Sequence, residues 1–194
     1  MENCYDAGSQ SGGWGPGAII GYRGSGGSVS NNYFLNGKGF GNANAAASEA
    51  QQLSTAQLQS WAAAYALNGG TGAQKVGDLA TWRKASSASE NSGYPVLCAA
   101  GESMTPAADW SEVGEWVDVF SPAFKPAENG TTAACSAGTP EALAWAAYKA
   151  NNGMPAINVK LTGNDIDLAG ENYRAAGSSA PLPWAPIGAS ASYT

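Results

Sequence analysis

Histidine is absent from all 194 residues. Without imidazole no Ser-His-Asp relay can be assembled, and metal sites built on histidine nitrogen are excluded. A serine–lysine pair would need Lys38, Lys75, Lys84, Lys125, Lys149 or Lys160 beside a serine, and no S-x-x-K spacing supplies one in a suitable place. Charge is scarce too. Asp, Glu, Lys and Arg together make up 12% of the chain, about half the usual share. The few charges lean acidic, 15 against 9, for a net −6. That balance argues against nucleic acid, whose affinity comes from Lys and Arg on phosphate, and against docking on anionic lipid. No apolar run approaches the ~18 residues of a membrane-spanning helix. The first residues, Met1-Glu2-Asn3-Cys4-Tyr5, carry neither the basic region nor the apolar stretch of a signal peptide. Cysteine is limited to three, so at least one cannot pair within the chain. Cys98 and Cys135, which flank one segment, are the disulfide candidates; three free thiols are the other reading.

What replaces the missing charge is 26 glycines and many alanines, serines, threonines and asparagines. A neutral surface of small polar residues is common in exported repeat proteins. Apolar residues at 44% and aromatics at 10% are enough for a folded core. The first 37 residues look repetitive: an Asn-[Cys/Asn]-Tyr start at Asn3 returns after 28 residues at Asn31-Asn32-Tyr33, with glycine-punctuated apolar runs between them. Cys4, standing where the second copy has Asn32, is expected to be a small buried or ladder-facing residue. Ala18-Ile19-Ile20 and Ser28-Val29-Ser30 have strand character, with Gly24 to Gly27 as a loop. Because the chain begins inside a repeat, it is expected to be a piece of a larger exported protein, with Met1 an added start.

Ser54 and Gln57 form a capping box and Leu53 and Leu58 a hydrophobic staple, so a helix is predicted from there to the Asn68-Gly69-Gly70 stop. Leu58, Trp61, Ala62 and Tyr65 fall on its apolar face. Gly93 to Leu97 is a predicted short strand. Residues 99–138 read as a spacer with one or two strands, where Trp110, Val113, Trp116, Val117, Val119 and Phe120 are separated by acids. Thr139-Pro140-Glu141 opens a second helix, with Thr as N-cap, Pro at the first helical position and an acid in the first turn. It ends at Asn151-Asn152-Gly153, and being apolar nearly all round it is expected to be buried on more than one side. Asn158-Val159-Lys160-Leu161 and Asp165-Ile166-Asp167-Leu168 alternate with period two, as half-buried strands do.

Taken together, NCYDAGSQSGGWGPGAIIGY, VSNNYFLNG, LSTAQLQSWAAAYALNGG, SGYPVLC, GTPEALAWAAYKANNG, VKLTGNDIDLAG and WAPIG resemble stretches of bacterial surface proteins built on GLUG-motif repeats. The resemblance leaves out roughly 99–138, and Pro16-Gly17-Ala18 departs from the glycine pair the family favours. It implies a mainly β fold with two or three short α-helices, an incomplete right-handed parallel β-helix (solenoid) with helical caps. Residues 1–98 would end one block, 99–138 would be the spacer, and 139–194 would be a capping helix and the first strands of the next block. The family implies a cell-surface or secreted location and an adhesive or scaffolding role, with no catalytic residues at matching positions.

Few constellations carry chemistry. Asp165 and Asp167 share a strand face, but the segment lacks the D-x-[DN]-x-[DN]-G spacing of a calcium loop and reads better as a strand with its polar face out. Trp110 and Trp116, with Asp109, Glu112 and Glu115 nearby, offer rings for stacking on a sugar and carboxylates for its hydroxyls; core anchors of the spacer are the simpler reading. Gly12–Gly17 and Gly24–Gly27 lack the lysine and the helix of a phosphate loop. Asn129-Gly130-Thr131 matches a glycosylation acceptor but reads more simply as a turn. The expected function is therefore a non-enzymatic structural or binding module of a secreted or cell-surface adhesin-like protein, with no cofactor and no metal. Its partner would be a protein or glycan of a host or neighbouring cell, and copies would self-associate through solenoid ends. The alternatives are a non-catalytic accessory region of an extracellular peptidase or polysaccharide-active enzyme, or a glycan-binding module.

Overall fold

The computed structural model describes residues 2–8, 29–36, 50–70, 81–126, 134–153, 157–162, 165–175, 177–184 and 187. The expected strand at 18–20, the loop at 24–27 and the Asn129-Gly130 turn lie outside them. The chain divides into two compact units, Met1–Gly70 with Ala80–Glu102, and Thr71–Leu79 with Ser103–Thr194.

The first unit is built on a parallel three-stranded sheet of β1 (Tyr5–Asp6), β2 (Tyr33–Leu35) and β3 (Gln51–Leu53), in that order. Tyr5 stands opposite Tyr33, and Tyr33 opposite Gln51. The recurrence seen in the sequence is thus the register of β1 on β2. Asparagines fix it: Asn3 and Asn31 both take positive φ (57° and 51°), and Asn31 Nδ2 donates to Asn3 Oδ1 at 3.2 Å. Asparagine tolerates this left-handed backbone better than most residues. The buried Asn32 accepts from the Cys4 N–H at 3.1 Å.

Beyond β3 the chain turns helical. Ser54 Oγ accepts from Gln57 N while Gln57 Oε1 accepts from Ser54 N, the reciprocal box expected from the sequence, opening α1 (Thr55–Leu58). The single helix expected to reach Asn68 is broken at Gln59. Ser60 becomes a second N-cap, accepting from Ala63 N, and starts α2 (Trp61–Leu67). Every residue of α2 is buried, with Trp61 and Tyr65 stacked at 4.8 Å. Gly69 ends it at φ 75°. Asn68 then ties the helix end to a small antiparallel pair, β4 (Trp82–Arg83) and β5 (Val96–Leu97). Its amide donates to the carbonyls of Ala64 and Trp82, and its oxygen accepts from Thr81 N and Trp82 N.

The second unit contains α3 (Trp110–Phe120), β6 (Ala134–Ala137), α4 (Pro140–Asn151) and β7 (Asn158–Leu161). α3 packs against α4 where Gly114 meets Ala144, and any Cβ at Gly114 would run into the Ala144 carbonyl and the Tyr148 side chain. β6 and β7 pair in parallel. The segment from Asp165 to Trp184 lies over α3: Trp110 Nε1 donates to the Leu168 carbonyl, Ala107 N to the Tyr173 carbonyl and Trp110 N to the Pro183 carbonyl.

Several expectations are overturned. The protein is mixed α/β with short strands in small sheets, not mainly β, and among the described residues there is no solenoid or right-handed β-helix. The physical reason is visible in the register: β2 follows β1 by 28 residues and β3 follows β2 by 18, from Tyr5, Tyr33 and Gln51, so no constant coil is laid down. The strands are two to four residues long, and β3 gives way at once to a helix. Residues 99–138 carry one strand, β6, as expected, but their tryptophan-rich stretch forms the helix α3. The helix expected to cap a solenoid, α4, packs on α3 instead, and the solenoid ends invoked for self-association are not part of this architecture. Asp165–Leu168 forms no strand; Asp167 Oδ1 accepts from Ala169 N at 2.8 Å in a local turn.

Candidate functional site

The two tryptophans that the sequence offers for stacking are core residues. Trp110 and Trp116 are 2% and 0% exposed. Trp110 meets Tyr173 edge-on at 5.7 Å, and Trp116 packs on Phe124 at 5.4 Å and Tyr173 at 6.2 Å. The carboxylates beside them close the helix start. Asp109 Oδ1 accepts from Ser111 N and Glu112 N, and Glu112 Oε2 accepts from Ala108 N. Cys98 is a free thiol. Burial raises the Cys98 pKa, with the Glu102 carboxylate adding to the shift, which keeps the thiol protonated. Asp165 and Asp167 are exposed, and no group of three metal-binding side chains exists among the described residues.

A different aromatic group remains accessible. Tyr5 on β1, Trp82 on β4 and Tyr94 before β5 are each half-buried. Tyr5 meets Trp82 edge-on at 5.4 Å and Tyr94 at 6.3 Å. Every polar tether of the first two rings is used in holding them. Trp82 Nε1 donates to the Asn3 carbonyl at 3.0 Å, and the Tyr5 hydroxyl donates to the Pro95 carbonyl at 2.7 Å. Burial pushes the Tyr5 phenol pKa up, opposed by the bond from Asn91.

Beside the rings the backbone is strained. Asn91, Ser92 and Gly93 lie in succession at φ 45°, 55° and 82°. Left-handed conformation costs a residue other than glycine roughly 1–2 kcal/mol, so the turn persists only because its surroundings hold it. Asn91 Nδ2 donates to the Tyr5 hydroxyl at 2.7 Å and to the Pro95 carbonyl at 2.9 Å. Gln59 Nε2, at the break between α1 and α2, donates to the Ser92 carbonyl at 2.8 Å. Strained positions held by several partners are concentrated at ligand-contacting surfaces.

An ion cluster closes the same loop from its other end. Arg83 grips Glu90 with both terminal nitrogens, at 2.7 and 3.0 Å, and its Nε reaches Glu102 at 3.4 Å. Ser86 adds its N–H and hydroxyl to Glu90. The Arg83 bond first, then those from Ser86, lower the Glu90 carboxyl pKa to about 2 and the pair raises that of Arg83. Among the described residues, Asn91 Oδ1 and the hydroxyls of Ser92 and Tyr94 are the polar side-chain atoms of the turn and the ring trio that enter no hydrogen bond.

Sequence reasoning missed this site because its parts are far apart: Tyr5 and Asn91 are separated by 86 residues and Asn3 and Trp82 by 79. The one local signal was Asn91-Ser92-Gly93, three residues suited to a turn with positive φ. No protein-family model, curated protein or solved structure matches this chain.

Proposed function

We propose that this chain is a non-enzymatic structural and binding module of a secreted or cell-surface bacterial protein of the adhesin type, and that it takes its partner on the Tyr5–Trp82–Tyr94 surface. The observation that carries the reading is a division of labour. Six of the described carboxylates hold the fold: Glu90 and Glu102 on Arg83, Asp109 and Glu112 at the start of α3, Asp118 on Trp145 Nε1 and Lys149, Glu141 on the Tyr173 hydroxyl. Acid–base chemistry needs such groups converging on a substrate, often with pKa values moved toward neutrality; the Glu90 pKa moves the other way. Half-exposed rings on a stiff frame suit recognition, since they contribute contact area with little loss of rotamer freedom. The likeness of VSNNYFLNG and GTPEALAWAAYKANNG to GLUG-motif surface proteins, and the scarcity of charge, support the exported location.

The test is retention of the purified chain on arrays of cell-surface glycans and extracellular-matrix proteins, followed by mass analysis of whatever retains it. Saturable retention of an unaltered ligand, weakened by Trp82→Ala, is expected. Turnover of that ligand, or no retention on either array, would overturn the reading.

A further inference from the structure

We infer that the surface formed by Tyr5, Trp82, Tyr94 and Asn91 is a subsite for an uncharged pyranose ring. The inference rests on the binding-module reading above and names the ligand class for it. A pyranose has two needs. Its C–H faces are apolar and pack on aromatic rings, while its equatorial hydroxyls each both donate and accept hydrogen bonds. The site offers both side by side. The Trp82 and Tyr94 rings lie 5.4 and 6.3 Å from that of Tyr5, and the uncommitted polar atoms, Asn91 Oδ1 and the Ser92 and Tyr94 hydroxyls, are of complementary kinds. Asn91 Oδ1 accepts; the Ser92 and Tyr94 hydroxyls donate and accept.

Rigidity favours the same class. Sugar hydroxyls are strongly hydrated, so a protein gains on binding them only when its own groups are already placed and lose little freedom. Asn91 is held by its Nδ2 bonds to Tyr5 and Pro95, Trp82 by its bond to Asn3, and the turn by Gln59. Charge selects within the class. The chain carries −6 overall, and the cation nearest in sequence to Trp82, Arg83, is committed to Glu90 and Glu102. Sulfated and uronic polymers would meet repulsion that Arg83, already paired, does not offset.

The experiment presents the full chain to a printed array of neutral oligosaccharides (β-1,4-glucan, galactan and N-acetylglucosamine series), with heparin and extracellular-matrix proteins on the same slide. Binding to a neutral series but not heparin is expected, with affinity about tenfold lower in Trp82→Ala, the loss of one good stacking partner. Because Trp82 also tethers Asn3, Tyr94→Ala is run beside it; its ring holds no hydrogen bond among the described residues, and a several-fold loss is expected with the thermal midpoint kept. Neutral-glycan binding that both variants leave unchanged would overturn the site. Retention on matrix proteins alone, weakened by Trp82→Ala, would overturn the pyranose assignment and leave the module reading standing. Silence on every spot would overturn both.

Discussion

The two units of this chain solve the same problem with different materials. Both surround helices with tryptophan and alanine. Beside its Arg83–Glu90–Glu102 cluster, the first closes its structure with uncharged polar side chains on backbone: Asn68 alone makes four such bonds, Ser54 and Ser60 cap successive helices, and Asn32 receives the Cys4 N–H inside the sheet. The second interlocks α3 and α4 by close approach at Gly114 and fills the remaining space with Trp110, Trp116, Trp145 and Tyr173. A polar clasp can hold aromatic rings half in water, because its energy does not depend on burying them. An aromatic interlock cannot. That difference explains why the tryptophans richest in nearby acids are core residues, while the accessible rings sit among asparagines.

The comparison is broken most severely at Gly114. Gly114→Val should destabilise the second unit by about 3 kcal/mol, since overpacking against a backbone carbonyl has no flexible side chain to give way. A urea unfolding midpoint checks it; an unchanged midpoint would mean the helices are not in close contact. The corresponding cut in the first unit is Asn68→Ala. It strands the part-buried N–H and carbonyl of Trp82 and should cost about 2 kcal/mol, read by the same denaturant titration.

The smallest effect sharpens the comparison by pH. Glu90 lies at about 2 in the fold against an ordinary 4.5. A depressed carboxyl adds stability that is present above 4.5 and is lost as pH falls from there toward 2. The Glu90→Gln variant should therefore show a flatter fall in thermal midpoint across that acid window than the parent protein. Solvent exposure of the pair keeps the difference modest. Equal slopes would show that the Arg83–Glu90 grip contributes nothing to loop closure.

Local grammar was legible wherever a helix start names its own partners. Ser54 with Gln57, and Thr139-Pro140-Glu141, bind groups within three residues, so they read directly from sequence. α3 follows the same grammar, with Asp109 and Glu112 at its start and Trp110, Val113, Val117 and Phe120 at helical spacing. Its valines and aromatics favour sheets, and a glycine in mid-helix ordinarily costs about 1 kcal/mol, so these residues alone point away from a helix. Gly114 is there for the contact with Ala144, a fact held by the partner helix and not by α3. The alternation at Asp165–Leu168 misled in the opposite direction: period two is only half of a strand, and a pairing partner is the other half. The recurrence at Asn3 and Asn31 did mark a parallel register but not a constant coil, since Gln51 follows Tyr33 sooner than Tyr33 follows Tyr5. The candidate site was illegible for the plainest reason, contacts spanning 79 to 90 residues.

The central claim is that ligand contact belongs to the accessible rings of the first unit and not to the buried tryptophans of the second. It is tested most directly by fluorine NMR of the chain labelled with 5-fluorotryptophan, each of its seven resonances assigned by a Trp→Phe variant. Titration with a neutral β-1,4-linked N-acetylglucosamine, glucan or galactan oligosaccharide retained on the array should move the Trp82 resonance and leave those of Trp110 and Trp116 in place. Movement of Trp110 or Trp116 with Trp82 unmoved would contradict the account.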